Sequence, residues 1–199
     1  MAKKNSQKSP FRLSGGWIAA IVIVAIVAIV GIWLAGTYNS LVTKDEVTKQ
    51  SWADVQTAYQ RRADLIPNLV ATVKAYSTYE GDVLTQITEA RAGLLNAKTP
   101  AQLDAADSSL NSAIGRLLVV VENYPTLKAN ENYLSLQDEL AGTENRIKTE
   151  RDIYNAAVKD YNVNVRTFPS NIVAGWYGFS QKDSFEADAG AATAPKVTF

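Results

Sequence analysis

The chain has 199 residues, with 20 bases, 20 acids, no cysteine and no histidine. Without those two residue types it cannot assemble disulfides, thiolate metal sites, ordinary zinc centres, or Ser-His-Asp and Cys-His catalysis. Lys3, Lys4, Lys8 and Arg12 precede a hydrophobic run; the rest keeps 16 bases against 20 acids, a mildly acidic body that argues against a nucleic-acid footprint.

From Trp17 to Ala35 no residue is charged or strongly polar, and 11 of these 19 positions are Ile, Val or Leu. As a helix the run rises about 28 Å, close to the hydrocarbon thickness of a bilayer. Its aliphatic side chains favour insertion by roughly 3 to 7 kcal/mol. Val and Ile are weak helix formers in water, but in lipid an unpaired backbone amide costs several kcal/mol and the helix becomes obligatory. Trp17 and Trp33 lie near the two ends, where indole prefers the interface. The flank after the run pairs Ala35 with Trp33, a poor signal-peptidase site, so an uncleaved anchor is expected. The basic flank places the N-terminus in the cytoplasm and the remainder across the membrane. The run holds no GxxxG pattern, so contacts between copies are expected from the body that follows. The expected divisions are a basic tail (1–16), a transmembrane helix (17–36), a helical domain (37–186) and a flexible tail (187–199).

The first domain helix is expected from Tyr38 to Tyr79. Its seam is Trp52, Val55, Tyr59, Arg62, Ile66, Leu69, Val73 and Tyr76, spaced three and four apart, the period of packed antiparallel helices. Pro67 interrupts this run, but the apolar period continues, which predicts a kink rather than an end. A second helix is expected from Asp82 to Ala97, with Leu84, Ile87, Arg91 and Leu94 in line. Thr99-Pro100 supplies an N-cap and a first-turn proline for a third helix. That helix carries Leu103, Ala106, Leu110, Ala113, Leu117 and Val120 and ends at Tyr124-Pro125. A fourth, from Ala129 to Thr167, is closed by Phe168-Pro169. The expected fold class is therefore all-α: an N-terminal transmembrane helix, then an elongated antiparallel up-and-down bundle of about four helices. A first helix leaving the membrane brings the fourth back to it. The segment carrying Trp176, Tyr177, Phe179 and Phe185 then lies near lipid, either as an interfacial aromatic foot or as a closure of the bundle base.

Polar chemistry concentrates in a few places. Arg61, Arg62 and Asp64 cluster in the first helix, and Arg62 and Arg91 fall on apolar seams. A buried arginine needs a carboxylate and full hydrogen bonding. Glu80, Glu89, Glu122, Glu144, Glu150 and Arg151 are the candidate members of such a layer. A structural ion-pair layer is favoured over an anion or substrate site. Asn130, Asn132, Asn145, Asn155 and Asn162 are poor interior helix formers, expected to make interhelical hydrogen bonds. Di-metal bundles use Glu-x-x-His, which this chain lacks, and no EF-hand, GxxxxGK[ST], GxGxxG or GxSxG spacing is present. No cofactor and no catalytic residue is expected.

Several ordered stretches carry a resemblance: Tyr38–Val42 (YNSLV), Gln60–Val70 (QRRADLIPNLV), Glu122–Asn130 (ENYPTLKAN), Gln137–Ile147 (QDELAGTENRI), Tyr154-Asn155, Tyr161-Asn162, Phe168-Pro169 and Gly178-Phe179. With the anchor they span roughly residues 17 to 186, and the chain resembles the LemA family. That resemblance implies a bacterial, membrane-anchored antiparallel bundle. It supplies no catalytic residues to carry over, and a magnetosome-associated relative suggests membrane organisation. The departures are the Ile- and Val-rich span and the 187–199 tail. The reading that follows is a non-enzymatic scaffold in the bacterial cell membrane, partnered by the lipid bilayer and by copies of itself. The alternatives are a tethered partner-binding or sensor module with an unidentified protein partner, and an enzyme built on a carboxylate metal site.

Overall fold

The computed structural model describes residues 15–76 and 81–186, and over these the chain is all-α. Residues 1–14 of the expected basic tail, the expected 187–199 tail, Tyr79 and Glu80 lie outside the described residues. The helices are α1 (Gly15–Lys74), α2 (Gly81–Asn96), α3 (Pro100–Val121), α4 (Pro125–Lys128), α5 (Glu131–Arg166) and α6 (Ser170–Tyr177). The sequence predicts four domain helices. The additional two are the single turn α4, opened by Pro125, and α6, which follows a cis Phe168–Pro169 bond.

The span and the first domain helix are one element. α1 runs 60 residues without interruption, about 90 Å at the helical rise. Gly36-Thr37 does not break it. Among the described residues nothing covers its apolar run up to Trp33: Ile23 is 61%, Val27 65% and Ile32 74% exposed. Such a continuous apolar cylinder is incompatible with water and matches lipid, so this is a membrane-anchored protein. Beyond it the seam turns inward. Val55, Tyr59, Ile66, Leu69 and Val73 are buried, whereas Tyr76 remains exposed.

α5 lies along α1 in the most extensive helix pairing of the fold, and α2 and α3 form a hairpin attached mainly through α1. Leu103, Leu110 and Leu117 from α3 and Tyr133, Leu140, Ile147 and Tyr154 from α5 join the α1 seam in one core. Thr99 caps α3, its hydroxyl accepting from the Gln102 amide at 3.3 Å, and Asn130 caps α5 by accepting from the Tyr133 amide at 3.0 Å. Buried hydroxyls on α1 are satisfied inside their own helix: Thr48 donates to the Lys44 carbonyl and Ser51 to that of Val47.

α1 continues through Pro67 without ending there, and the fold meets the cost in one place. A proline at 67 has no N–H to give the carbonyl four residues earlier, at Ala63. Arg91 of α2 reaches that carbonyl and donates to it through Nε at 2.8 Å. The backbone acceptor orphaned by the proline is thus satisfied by a side chain from the neighbouring helix.

At the lower end α5 returns toward the membrane. α6 folds back onto α1, where Val173 and Ala174 bury against Leu41, with Leu34, Val165 and Phe179 around them. Leu41 stands only about 8 Å along the helix from Gly36. Gly178 then turns the chain in the left-handed region (φ 76°), with the Phe179 amide bonded to the Ala174 carbonyl, a helix-ending geometry that only glycine adopts without strain. The following residues, to Glu186, run extended along the bundle, away from the membrane.

Candidate functional site

Two constellations stand out, one inside the rod and one at its base. In the first, Arg62 is 4% exposed, and its seam position points it between α3 and α5. Its Nη1 donates to Asp107 Oδ1 at 2.9 Å and to Glu144, and its Nη2 donates to Asn111 Oδ1 at 2.5 Å. Three helices are thereby tied to one guanidinium, the fork geometry that suits arginine to such a node. Tyr59 Oη and Arg62 Nε are buried beside it without a hydrogen-bond partner among the described residues. Burial pushes the Asp107 carboxyl up to about 6; Arg62 opposes the shift and Glu144 adds to it. Burial also raises the Tyr59 phenol, assisted by Asp107.

The expected layer is redistributed. Arg62 and Glu144 meet directly. Arg151 lies one step further along α5, where it pairs with Asp104 at 2.5 Å and covers the Phe185 ring at 4.5 Å. Arg91 serves Ala63 rather than a carboxylate. Arg61 and Asp64 face outward: Arg61 lines a shallow groove with Glu139 and Arg146, and Asp64 accepts from Gln60 at 2.8 Å. Glu122 is the exposed C-cap of α3 and Glu150 pairs with Arg146. The members that sequence reasoning missed are Asp107, Asn111 and Asp104. Asp107 carried a signal, since it sits on the α3 stripe between Leu103 and Leu110. Among the described residues no group of three or more Asp or Glu is placed to hold a metal ion.

The second constellation surrounds α6. Trp176 is 71% exposed, and Ile172 and Tyr177 are also open, on α6, which packs against α1 just above the span; Phe168, just before α6, is 76% exposed. Tyr38 of α1 meets the Tyr177 ring at 4.6 Å and the Phe179 ring at 6.0 Å. Trp33 is exposed on the same stretch of α1, and Trp17 lies exposed near the other end of the apolar run. Phe185 is elsewhere. The extended segment carries it up the rod to a buried place between Trp52 and Tyr154.

That segment is held by asparagines of α5, which bind main chain rather than another helix. Asn162 donates to the Lys182 carbonyl at 2.8 Å and accepts from the Lys182 amide at 2.9 Å. Asn155 does the same with Phe185, at 3.2 and 2.9 Å. Tyr154 Oη donates to the Asp183 carbonyl, and Lys182 Nζ pairs with Asp45 at 2.7 Å. Burial opposes ionisation of Asp45, but Lys182 and Lys49 together hold its carboxyl below the usual range.

The LemA family model matches residues 51–199. This chain belongs to the LemA family. It is 26% identical over 208 residues to Magnetosome protein MamQ 2 of Paramagnetospirillum magneticum, covering 90% of this chain and 76% of that protein. It is 23% identical to Magnetosome protein MamQ of Magnetospirillum gryphiswaldense over the same shares. It is 28% identical over 143 residues to Protein LemA of Metamycoplasma hominis, covering 70% of this chain and 64% of that one. None of these names describes an enzymatic activity. The LemA match spans the α1 seam from Ser51, the Arg62 node and the asparagines that hold the segment after α6.

Proposed function

We propose that this LemA-family chain is a non-enzymatic scaffold of the bacterial cell membrane, whose rods associate side by side and order the bilayer beneath them. The observation that carries it is the single 60-residue helix that is both membrane span and staff of the rod. Any lateral contact between rods is then transmitted rigidly to the lipid. Trp176, Phe168, Ile172, Tyr177 and Trp33 form a second lipid contact at the base, where aromatic rings are favoured at the headgroup level. Similarity to magnetosome proteins supports a role at membranes. The basic N-terminal flank orients the rod outside the cytoplasm.

A membrane-impermeant amine crosslinker applied to intact spheroplasts, followed by mass measurement of the purified full chain, tests this reading. The expected result is a ladder of homo-oligomers formed from outside. A strict monomer at native abundance removes the scaffold. A ladder seen only after permeabilisation reverses the orientation.

A further inference from the structure

We propose that the cleft between α1 and α5 is a receptor for an extended peptide, and that in the assembled protein it takes residues 182–185 of a neighbouring copy in exchange for its own. This rests on the scaffold reading and supplies its joint.

Asn155 and Asn162 lie seven residues apart on α5, about 10.5 Å on one helix face. Lys182 and Phe185 are three residues apart in extended chain, about 10 Å. The two repeats coincide, so each asparagine amide pairs with both backbone groups of one residue. The Tyr154 hydroxyl takes the carbonyl between them. Recognition is thus mostly of main chain, as when an extended peptide is bound to a protein edge. Two side chains add selectivity. Phe185 enters between Trp52 and Tyr154 under Arg151, with ring centroids at 6.0 and 5.7 Å. Lys182 meets Asp45 and lies over the Tyr161 ring at 5.1 Å.

Every one of these contacts is available to the same segment of a second copy. Exchange therefore changes little in the contacts themselves, which is why swapping is a low-cost route to assembly. Phe179 stays packed on α1, Ser180 and Gln181 are exposed, and the three steps from Phe179 to Lys182 reach about 10 Å when extended. The span fixes the height of the cleft: Trp52 stands about 24 Å along α1 from Gly36 in every copy. Neighbours in one bilayer hold their clefts and segments level, which raises the effective concentration of the exchanged segment.

The chain has no cysteine, so introduced ones are unique. Ala101 and Ser184 line one cleft with Thr99, Pro100 and Asp104. Two differently tagged full-length chains, one carrying A101C and the other S184C, are co-expressed and treated in membranes with a short bismaleimide. The expected product is a heterodimer linked between the two sites. Its yield should fall at least about tenfold when N155A and N162A are added to the A101C chain, since four hydrogen bonds are lost. Heterodimer of undiminished yield is collision chemistry and overturns the exchange. So does linkage confined to a chain carrying both cysteines, under conditions where an amine crosslinker still traps oligomers; that result leaves the scaffold standing. A monomer by both reagents overturns both.

Discussion

Replacing Arg62 with methionine is expected to cost the fold about 3 to 5 kcal/mol at pH 7.5, because it leaves the buried Asp107 carboxyl without its cation and next to Glu144. Chemical unfolding of the full chain in detergent, followed by near-ultraviolet dichroism, reads this directly. Removing both charges tells more. R62M with D107L replaces the buried pair by apolar groups and should recover most of the loss. A cost below about 0.5 kcal/mol for R62M, the range of a surface substitution, would mean that Arg62 lies in solvent.

The pH dependence has a defined sign. Asp107 has a carboxyl pushed up to about 6 in the fold, against 3.8 as the ordinary value. The folded state therefore holds this proton more tightly than the unfolded one. Its stabilisation is complete below pH 3.8 and is lost as pH rises through 6, a span worth on the order of 3 kcal/mol. The side-chain amide introduced by D107N does not titrate. D107N should thus be more damaging, relative to the native chain, near pH 4 than at pH 7.5. R62M should behave oppositely and be milder at pH 5, where Asp107 takes its proton. A pH-independent difference for D107N would show that the carboxyl is not desolvated.

The second large effect is a coupling between two residues in different helices. R91M should cost about 1 to 3 kcal/mol by leaving the Ala63 carbonyl without a donor. In a P67A background the amide of residue 67 returns to the helix and bonds that carbonyl itself. There the same R91M change should cost less than about 0.5 kcal/mol. The double-mutant cycle should give a coupling of about 1 kcal/mol or more, in contrast to the near-additivity of unconnected sites. Additive costs would mean that Arg91 serves some purpose other than the proline.

The coupling also marks where the sequence stops being readable. The span is legible because nineteen apolar residues have one stable solution in lipid. The domain helices are legible because their apolar seams keep a helical period, and Thr99-Pro100 announces a helix start. Pro67 dictates that the Ala63 carbonyl needs a donor, yet that Arg91 supplies it is a fact of packing between helices. Arg62 is readable as a charge on an apolar seam. Its partner Asp107 is harder to see, since the α3 stripe reads equally well through Ala106. α6 is too short and too interrupted by glycine to show a period. The extended segment has no period at all, and its signal is the Asn155 and Asn162 spacing on a different element. Those asparagines read as links between helices because side-chain recognition of an extended main chain leaves no pattern in the strand it binds.

Lipid span and rod form one continuous helix. Spin labels at V30C and Q56C in full-length chains, reconstituted in bilayer nanodiscs with excess unlabelled protein, report its continuity by pulsed dipolar spectroscopy. An unbroken α1 places these positions about 39 Å apart along the axis, with a narrow distance distribution. A broad distribution, or one centred well below that distance, would show a joint at the membrane surface and rule out a continuous helix there.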